Sequence, residues 1–282
     1  MNSLIIGSGF GLYGYLPSVI NFSKKIYLNY KYQKKFLSRK NLKKYLKKII
    51  WYKDINYITD KIDYVVIAQK PKNQYSIIKN LLKYLKPKLF FLEKPISNNP
   101  SISLDLIKFL EKNKIRFSTG FLFKYLDWYK FINKNLSQKQ EFKINWQIKV
   151  NKNNNLWKYN RSEGGGLTRF YAIHFIRLLF DLKIFRINKK NITKNRWNVN
   201  LSDKRMNSFD INLTYSKINK FEFYLNKKKF FKSSNPFLKK ISKYNDPRVK
   251  IINNYLKNNI KRYNTKYDYE KNFLLFWKKL ER

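Results

Sequence analysis

The fold of this chain is decided by the stretch Leu4-Ile5-Ile6-Gly7-Ser8-Gly9-Phe10-Gly11, in which a short apolar run passes directly into glycines. An apolar-periodic stretch follows, so the order is strand, glycine turn and helix, the context that a dinucleotide-binding fingerprint requires. Gly7 allows the tight turn, and Gly9 lets the backbone approach a pyrophosphate at the positive end of the helix. The stretch therefore predicts a nucleotide site at the start of an α/β domain.

The glycine pattern departs from the strict G-x-G-x-x-G form at its third position, which is Leu12. The glycines nearest to this position are Gly11 and Gly14. The close packing of helix on strand that the third glycine normally allows must therefore depend on one of them, or be less tight. A glycine-rich turn that binds no nucleotide is the alternative that this segment leaves open.

The second informative stretch is Leu89-Phe90-Phe91-Leu92-Glu93-Lys94-Pro95, an apolar run too short for a helix that ends in a carboxylate, an amine and a proline. In an open α/β sheet, ligands bind at the carboxyl ends of the strands. A lysine held there can be desolvated, which lowers its pKa and lets it donate or accept a proton. Taken alone, Glu93 and Lys94 could equally cap a strand that Pro95 ends. The Lys94–Pro95 bond is a candidate for the cis form.

The third stretch begins at Gly164-Gly165-Gly166 and continues as an apolar segment that suits a buried helix and contains His174. This is the only histidine among the 282 residues. A lone histidine on an apolar helix is more often a hydrogen-bonded core residue than a catalyst. Its near-neutral pKa as a residue type nonetheless makes it a natural partner for a substrate hydroxyl, so both interpretations stay open.

Together and in this order, the three stretches and the segment Tyr64–Pro71 resemble the Gfo/Idh/MocA family of NAD(P)-dependent oxidoreductases. The most specific parts are Glu93-Lys94-Pro95 and the triple glycine with its downstream histidine. The resemblance implies an N-terminal Rossmann domain over residues 1–120 and a substrate-binding α/β domain over residues 121–282. It also implies hydride transfer to or from a hydroxyl or carbonyl of a sugar, a nucleotide sugar or a related small molecule.

The resemblance also assigns roles to individual residues. Lys94 matches the catalytic and substrate-orienting lysine of the family, and His174 matches its histidine near the substrate. The residues expected to contact the cofactor follow the ends of the predicted strands: Gly7, Gly9, Phe10, Gly11, Asn29, Lys31, Ala68, Pro71 and Glu93.

Three positions depart from the family pattern. Members commonly place an aspartate four residues before the histidine and another three residues after it, where this chain has Phe170 and Arg177. Family members often have a histidine after the loop that corresponds to Pro71, and this chain has Tyr75 at that position. Either the substrate chemistry is altered, which we favour, or the chain is a catalytically silent member that binds a cofactor or a sugar.

The end of the predicted second strand bears on the choice of cofactor. An NAD-selective site usually has a carboxylate there for the ribose 2′-hydroxyl. This chain offers Asn29, Tyr30 and Lys31, with no acid nearby. A 2′-phosphate would meet no repulsion, so NADP is slightly favoured over NAD.

The charge of the chain is extreme, with a formal net value of +45 and 62 basic against 17 acidic residues. Such a balance raises the hypothesis of a basic nucleic-acid-binding protein. The lysines are spread throughout and accompanied by asparagine, isoleucine, tyrosine and phenylalanine, whose codons are all rich in A and T. Base composition is the simpler cause, so we expect no nucleic-acid partner. The field would still attract an anionic substrate.

The remaining composition fits a cytoplasmic enzyme. There is no cysteine, which excludes disulfides and thiolate metal sites, and a single histidine makes a dedicated metal cluster improbable. The uncharged stretch Leu4–Phe22 lacks a basic n-region and carries four glycines and a proline. We therefore expect neither a membrane span nor a signal peptide.

Periodicity predicts the order of the elements. Up to Gly120, apolar runs alternate with helical patterns, which predicts a parallel sheet with right-handed crossovers. These strand-like runs are Ile26–Leu28, Ile62–Ala68, Leu89–Leu92 and Phe117–Phe121. The helical patterns lie over Leu42–Ile49, Tyr75–Leu85 and Ile102–Leu110. Farther on, alternation predicts the antiparallel strands of an open sheet over Glu141–Val150, Phe209–Tyr215 and Lys220–Leu225. We expect a final helix over about 267–281 to pack back on the body, and copies of the chain to associate through the C-terminal sheet.

Overall fold

The computed structural model describes residues 1–136, 139–150, 156–237, 246, 248–261 and 265–281. The chain divides into two units, and each unit is made of three segments that are not contiguous in the sequence. The first unit contains Met1–Ser97, Ile102–Gly120 and Lys240–Glu270. The second contains Asn98–Ser101, Phe121–Lys239 and Lys271–Arg282.

The first unit is built on a six-stranded sheet with the strand order β3-β2-β1-β4-β5-β6, and all its strand pairs are parallel. The strands are β1 (Asn2–Ile6), β2 (Lys25–Asn29), β3 (Ile49–Tyr52), β4 (Tyr64–Ile67), β5 (Leu89–Leu92) and β6 (Phe117–Thr119). The predicted Rossmann-type parallel sheet is confirmed.

Burial on both faces explains why the central strands of this sheet are apolar runs. Every residue of β4 and β5 is buried, as are the three middle residues of β1. Parallel strands covered by helices on both faces need this pattern, because no face is left for water. Each buried leucine, isoleucine or phenylalanine contributes about 1.5–3 kcal/mol of transfer free energy.

The helices connect and flank the strands. In chain order they are α1 (Leu16–Val19), α2 (Gln33–Leu37), α3 (Lys40–Lys43), α4 (Pro71–Leu81), α5 (Pro100–Lys112), α6 (Asp127–Lys134), α7 (Ile173–Asp181), α8 (Arg248–Ile260) and α9 (Tyr267–Glu281). The helix predicted over Leu42–Ile49 is wrong beyond Lys43, because α3 ends at that residue and Ile49 begins β3. No helix within the described ranges is long and apolar enough to cross a membrane.

Helix α8 belongs to the first unit although it comes late in the chain. The Ser18 hydroxyl donates to the Val249 carbonyl at 2.9 Å, and the Ser118 hydroxyl donates to the Asn259 side chain at 2.9 Å. The Tyr255 ring also meets the β5 ring of Phe91 with centroids 5.8 Å apart. These contacts fix α8 against α1 and the sheet.

The second unit is built on another six-stranded sheet, with the order β12-β11-β7-β10-β9-β8. Its strands are β7 (Glu141–Lys149), β8 (Arg186–Ile192), β9 (Arg196–Ser202), β10 (Ser208–Ser216), β11 (Lys220–Leu225) and β12 (Lys228–Ser233). The β7–β10 pair is parallel and the other pairs are antiparallel, which confirms the expected mostly antiparallel sheet. Alternate residues of β7 are buried, as expected for a sheet with one covered face.

Candidate functional site

The candidate site of the first unit lies at the carboxyl edge of its sheet. The backbone ladder continues past the strands there, because the Ala68 N–H donates to the Ile6 carbonyl and the Glu93 N–H donates to the Ile67 carbonyl, both at 2.8 Å. The glycine turn after β1 and the Glu93-Lys94-Pro95 loop after β5 therefore share one edge, as the sequence predicted. In open α/β sheets this edge is where ligands bind.

The glycine turn has the shape of a phosphate cradle. Gly7 has a φ of +143°, and a Cβ built on it would lie 2.3 Å from the Ala68 carbonyl oxygen, so only glycine fits there. A Cβ on Gly9 would meet no atom within 4 Å. The backbone at Gly9 consequently faces open space, and the residues present fit a bound dinucleotide whose phosphates approach the main chain.

The fingerprint lacks its third glycine, and Gly11 instead allows the helix to pack closely against the sheet. A Cβ on Gly11 would lie 3.2 Å from Ile5 Cγ2 and 3.6 Å from the Ala68 Cβ, so Gly11 is the point at which the helix meets the sheet. Leu12 is completely buried in the core. Gly14 makes room for the ring of Phe10, because a Cβ there would lie 2.2 Å from that ring.

The Glu93-Lys94-Pro95 loop is held from two sides. The Tyr15 hydroxyl donates to Glu93 Oε2 at 2.8 Å. The Gln74 side-chain amide donates to the Glu93 and Pro95 carbonyls, both at 2.9 Å. The Lys94–Pro95 peptide bond is cis, as predicted. These contacts fix the backbone on both sides of Lys94.

Burial shapes the electrostatics of this loop. Lys94 is 8% exposed. Desolvation lowers its pKa to about 8, and the positive charge of Arg248 acts in the same direction, while Glu93 opposes the shift. Desolvation raises the pKa of Glu93. The pKa of Tyr15 is also raised, mainly because its hydroxyl is buried and to a smaller extent because the Glu93 carboxylate lies beside it. A lysine in this state changes protonation near neutral pH.

The end of β2 carries the other predicted cofactor contacts. The Asn29 side chain accepts from the Lys31 N–H at 3.1 Å and caps the turn that follows the strand. The exposed Lys31 amine lies 5.5 Å from the centroid of the Tyr32 ring. Burial raises the pKa of Tyr32, while hydrogen bonds from the Gly7 backbone and the Gln69 side chain oppose the rise. Asn29 and Lys31 thus lie beside the glycine turn, and Pro71 is the buried first residue of α4.

His174 lies in the second unit, on α7, and is 5% exposed. Its ring stacks on Phe123, with centroids 4.5 Å apart and an interplanar angle of 13°. The rings of Phe121 and Phe237 approach it edge to face. Aromatic contacts therefore fix the imidazole, and its role toward a substrate stays a prediction.

The positions where the family commonly has carboxylates or a histidine serve packing in this chain. The Phe170 ring packs edge to face on Trp157, with centroids 5.3 Å apart. Arg177 donates to Asp181 at 2.8 Å, and its guanidinium lies 5.0 Å from the centroid of Phe121. Tyr75 packs on the α5 ring of Phe109.

The second unit also contains a cavity of about 1060 Å³ beside the start of the triple-glycine segment. Its lining residues include the basic residues Arg161, Lys194 and Lys217 and the tyrosines Tyr159 and Tyr215. The ring hydroxyls of both tyrosines are buried. Basic residues around one cavity suit an anionic ligand.

Two residues that hold the loop were missed in the sequence. Tyr15 lies just past the glycine run, and nothing local predicts its bond to Glu93. Gln74 had a detectable signal, because it occupies the buried stripe of α4 together with Pro71, Ile78 and Leu81. A polar residue in an apolar stripe needs buried partners, and here they are the carbonyls of the loop.

Comparison with protein families gives one match. Residues 1–121 match the Gfo/Idh/MocA model, which describes an oxidoreductase family with an NAD-binding Rossmann fold. No curated protein matches the sequence.

Solved structures with the same fold cover nearly the whole chain. The WlbA (WbpB) dehydrogenase from Thermus thermophilus, solved with NAD and UDP-GlcNAcA, has a TM-score of 0.66 at 14% identity, covering 100% of this chain and 94% of its own. The dehydrogenase MviM from Clostridium difficile has a TM-score of 0.66 at 15% identity, with coverages of 100% and 96%. A super-repressor mutant of Gal80p from Saccharomyces cerevisiae has a TM-score of 0.68 at 10% identity, with coverages of 100% and 94%.

The parallel sheet, with a glycine turn and the Glu93-Lys94-Pro95 loop at its carboxyl edge, has the arrangement of a Rossmann-type dinucleotide-binding domain. The family match makes this more specific and confirms the recognition drawn from the motifs. The family match extends over residues 1–121, the part of the chain that contains the six-stranded parallel sheet. The chain as a whole has the fold of the dehydrogenases named above.

Proposed function

We propose that this protein transfers a hydride between a nicotinamide cofactor and a hydroxyl or carbonyl carbon of a sugar, a nucleotide sugar or a related small molecule. The observation that carries the proposal is Lys94, a buried amine at the carboxyl edge of the sheet whose pKa is lowered to about 8 by desolvation. An amine with this pKa can donate or accept a proton near neutral pH, which is what interconversion of an alcohol and a carbonyl requires.

The cofactor supplies the hydride chemistry when bound. In the oxidation direction, the neutral Lys94 Nζ accepts the proton of the substrate hydroxyl. In the reduction direction, the Lys94 ammonium returns that proton to the carbonyl oxygen. Glu93, to which Tyr15 donates, orients Lys94 or a ribose hydroxyl. We assign the cofactor to the first unit, and His174 keeps its predicted role as a hydrogen-bond partner of the substrate.

A substrate screen tests the proposal. Purified protein would be mixed with NAD or NADP and a panel of sugars, nucleotide sugars and polyols, and the reduced cofactor followed by its absorbance at about 340 nm. We expect turnover with at least one member of the panel, and loss of that turnover in Lys94→Ala. Tight dinucleotide binding without turnover of any member would contradict the catalytic proposal.

A solved neighbour and the charge of this chain favour the same substrate class. The Thermus thermophilus dehydrogenase was solved with UDP-GlcNAcA, an anionic nucleotide sugar. The second unit of this chain has a cavity lined by Arg161, Lys194 and Lys217, and the formal net charge is +45. Both favour an anionic, sugar-like substrate.

A catalytically silent member is the second candidate. Phe170 and Arg177 replace two carboxylates that family members commonly carry, and both side chains serve packing or an internal ion pair. A solved neighbour of the same fold is described as a super-repressor rather than a dehydrogenase. Dinucleotide binding with no turnover in the screen would favour this candidate.

Cofactor selectivity gives a separate prediction. We expect NADP to bind at least as tightly as NAD, because Asn29 and the exposed Lys31 end β2 where NAD-selective sites carry an acid. Lys31→Glu should then favour NAD by about 10-fold, which corresponds to about 1.4 kcal/mol. Calorimetric titration of both variants with both cofactors measures this, and a 10-fold preference of the unaltered protein for NAD would contradict it.

The pH dependence gives another prediction. Because the pKa of Lys94 is lowered to about 8, the amine is neutral above that pH and protonated below it. We expect kcat/KM for oxidation to rise with pH and level off above about 8, and kcat/KM for reduction to fall over the same range. Initial rates in both directions between pH 6 and 10, with about one unit between points, measure the two profiles. Two parallel profiles would argue against Lys94 as the proton carrier.

Three expectations stay predictions. Association of copies through the second sheet can be measured by sedimentation, and a cytoplasmic location by cell fractionation. The expected absence of a nucleic-acid partner can be checked by titration with duplex DNA and with RNA.

A further inference from the structure

Arg248 lies at the first position of α8, far along the chain from the glycine turn but in the same unit. Asp246 holds its guanidinium in a bidentate pair, with Nε on Oδ1 at 2.9 Å and Nη2 on Oδ2 at 2.7 Å. A planar fork fixed by one carboxylate keeps a defined orientation. The side chain is therefore preorganised and only partly exposed, at 29%.

The guanidinium lies directly on the glycine turn. Its carbon is 4.1 Å from the centroid of the Phe10 ring and 6.0 Å from that of Tyr13. Phe10 stands between Gly9 and Gly11, and its ring is seated over Gly14, where a Cβ would overlap it. A cation on the face of an aromatic ring is attracted by the ring quadrupole, so this contact ties Arg248 to the turn.

The charge of Arg248 also reaches the loop after β5. It lowers the pKa of Lys94 after the larger effect of desolvation, and it opposes the rise in the pKa of Glu93. Arg248 thus contacts the glycine turn through Phe10 and lies near enough to the Glu93-Lys94-Pro95 loop for its charge to act there. Residues Gly7–Gly11 themselves carry no charge, whereas a dinucleotide brings a negatively charged pyrophosphate to such a turn.

We propose that Arg248 is a cofactor-binding residue, which α8 contributes to the glycine turn to neutralise and hydrogen-bond the pyrophosphate of the dinucleotide. Asp246 and Phe10 position the guanidinium for this contact. The inference rests on the proposed function, because it requires that a dinucleotide binds at this edge. It extends the cofactor site to a helix that lies outside the 121 residues matched by the family model.

Calorimetric titration with two probes tests the proposal. The probes are NAD and ADP-ribose, which shares the pyrophosphate but lacks nicotinamide. We expect Arg248→Met to weaken both by about 10- to 100-fold, because a charge-assisted hydrogen bond is lost. Arg248→Lys keeps the charge and should lose less than about 10-fold.

Lys79→Met is the matched control. Lys79 belongs to the same unit and also lies over aromatic rings, 5.0 Å from the centroid of Tyr75 and 5.7 Å from that of Phe109. Its loss removes one positive charge away from the sheet edge, so both affinities should stay within about two-fold.

The outcomes separate this inference from the proposed function. If the unaltered protein binds neither probe and does not bind NADP either, the proposed function fails and the inference fails with it. If it binds both and Arg248→Met binds them equally well, only the inference fails. A loss confined to NAD would place Arg248 at the nicotinamide and overturn the assignment to the pyrophosphate. Equal losses in Arg248→Met and Arg248→Lys, with a matching fall in melting temperature, would show a packing role and overturn it as well.

Discussion

Replacing Lys94 by alanine is expected to lower kcat/KM by about 10²- to 10⁴-fold, the usual effect of removing a proton-transfer group. Affinity for NAD should change little, because the pyrophosphate is expected at the Gly7–Gly11 turn and not at the lysine. The basis is the burial of the Lys94 amine and its lowered pKa of about 8. The measurements are steady-state kinetics on the substrate identified by the screen and calorimetric titration with NAD.

Two companion variants make this result specific. Lys94→Met keeps most of the side-chain volume, so it separates loss of the amine from loss of packing. His174→Ala should cost less than Lys94→Ala, because a hydrogen-bonding histidine assists the substrate without carrying the proton. A kcat/KM for Lys94→Met within about three-fold of the unaltered protein would remove Lys94 from the mechanism.

The parallel sheet of the first unit could be predicted because its central strands are buried on both faces. Such strands appear in sequence as unbroken apolar runs, and Leu89–Leu92 is one of them. The residues that follow a run of this kind must lie at the carboxyl edge. For that reason the glycine turn and the Glu93-Lys94-Pro95 loop could be assigned to one edge from local pattern alone, and the ladder bonds at Ala68 and Glu93 confirm it.

Strands with little burial could not be predicted in the same way. Strand β8 buries none of its residues fully, and β12 is mostly exposed, because each lies at an outer edge of the second sheet. Hydrophobic alternation arises only where one face is covered. These two strands are held by their pairing with β9 and β11, which is a tertiary effect that leaves no periodic signal.

Part of the site depends on contacts between distant segments. Tyr15 donates to Glu93 across 78 positions of sequence, and Gln74 reaches the Pro95 carbonyl across 21. Helix α8 joins the first unit from beyond residue 240. Such contacts are fixed by packing, so motif spacing could place Glu93, Lys94 and Pro95 at the sheet edge but could not predict that Tyr15 and Gln74 hold this loop.

Substituting alanine for Gly7 is expected to destabilise the protein by about 2–5 kcal/mol, from backbone strain and steric overlap together. The added Cβ would lie 2.3 Å from the Ala68 carbonyl oxygen and 2.9 Å from its carbon, and the φ of +143° is one that L side chains rarely adopt. Backbone atoms cannot move aside as the end of a flexible side chain can. Chemical denaturation without cofactor measures the loss, and an unchanged midpoint would show that the turn can relax.

Gly9→Ala is the matched variant, and it should show the opposite combination of effects. A Cβ on Gly9 meets no atom within 4 Å, and Gly9 is not among the glycines with positive φ. Stability without cofactor should therefore stay within about 1 kcal/mol of the unaltered protein. The methyl group would instead occupy the space through which the backbone approaches a pyrophosphate, so NAD affinity should fall by about 10-fold or more. If Gly9→Ala bound NAD as tightly as the unaltered protein, the cofactor would have to lie elsewhere than on this turn.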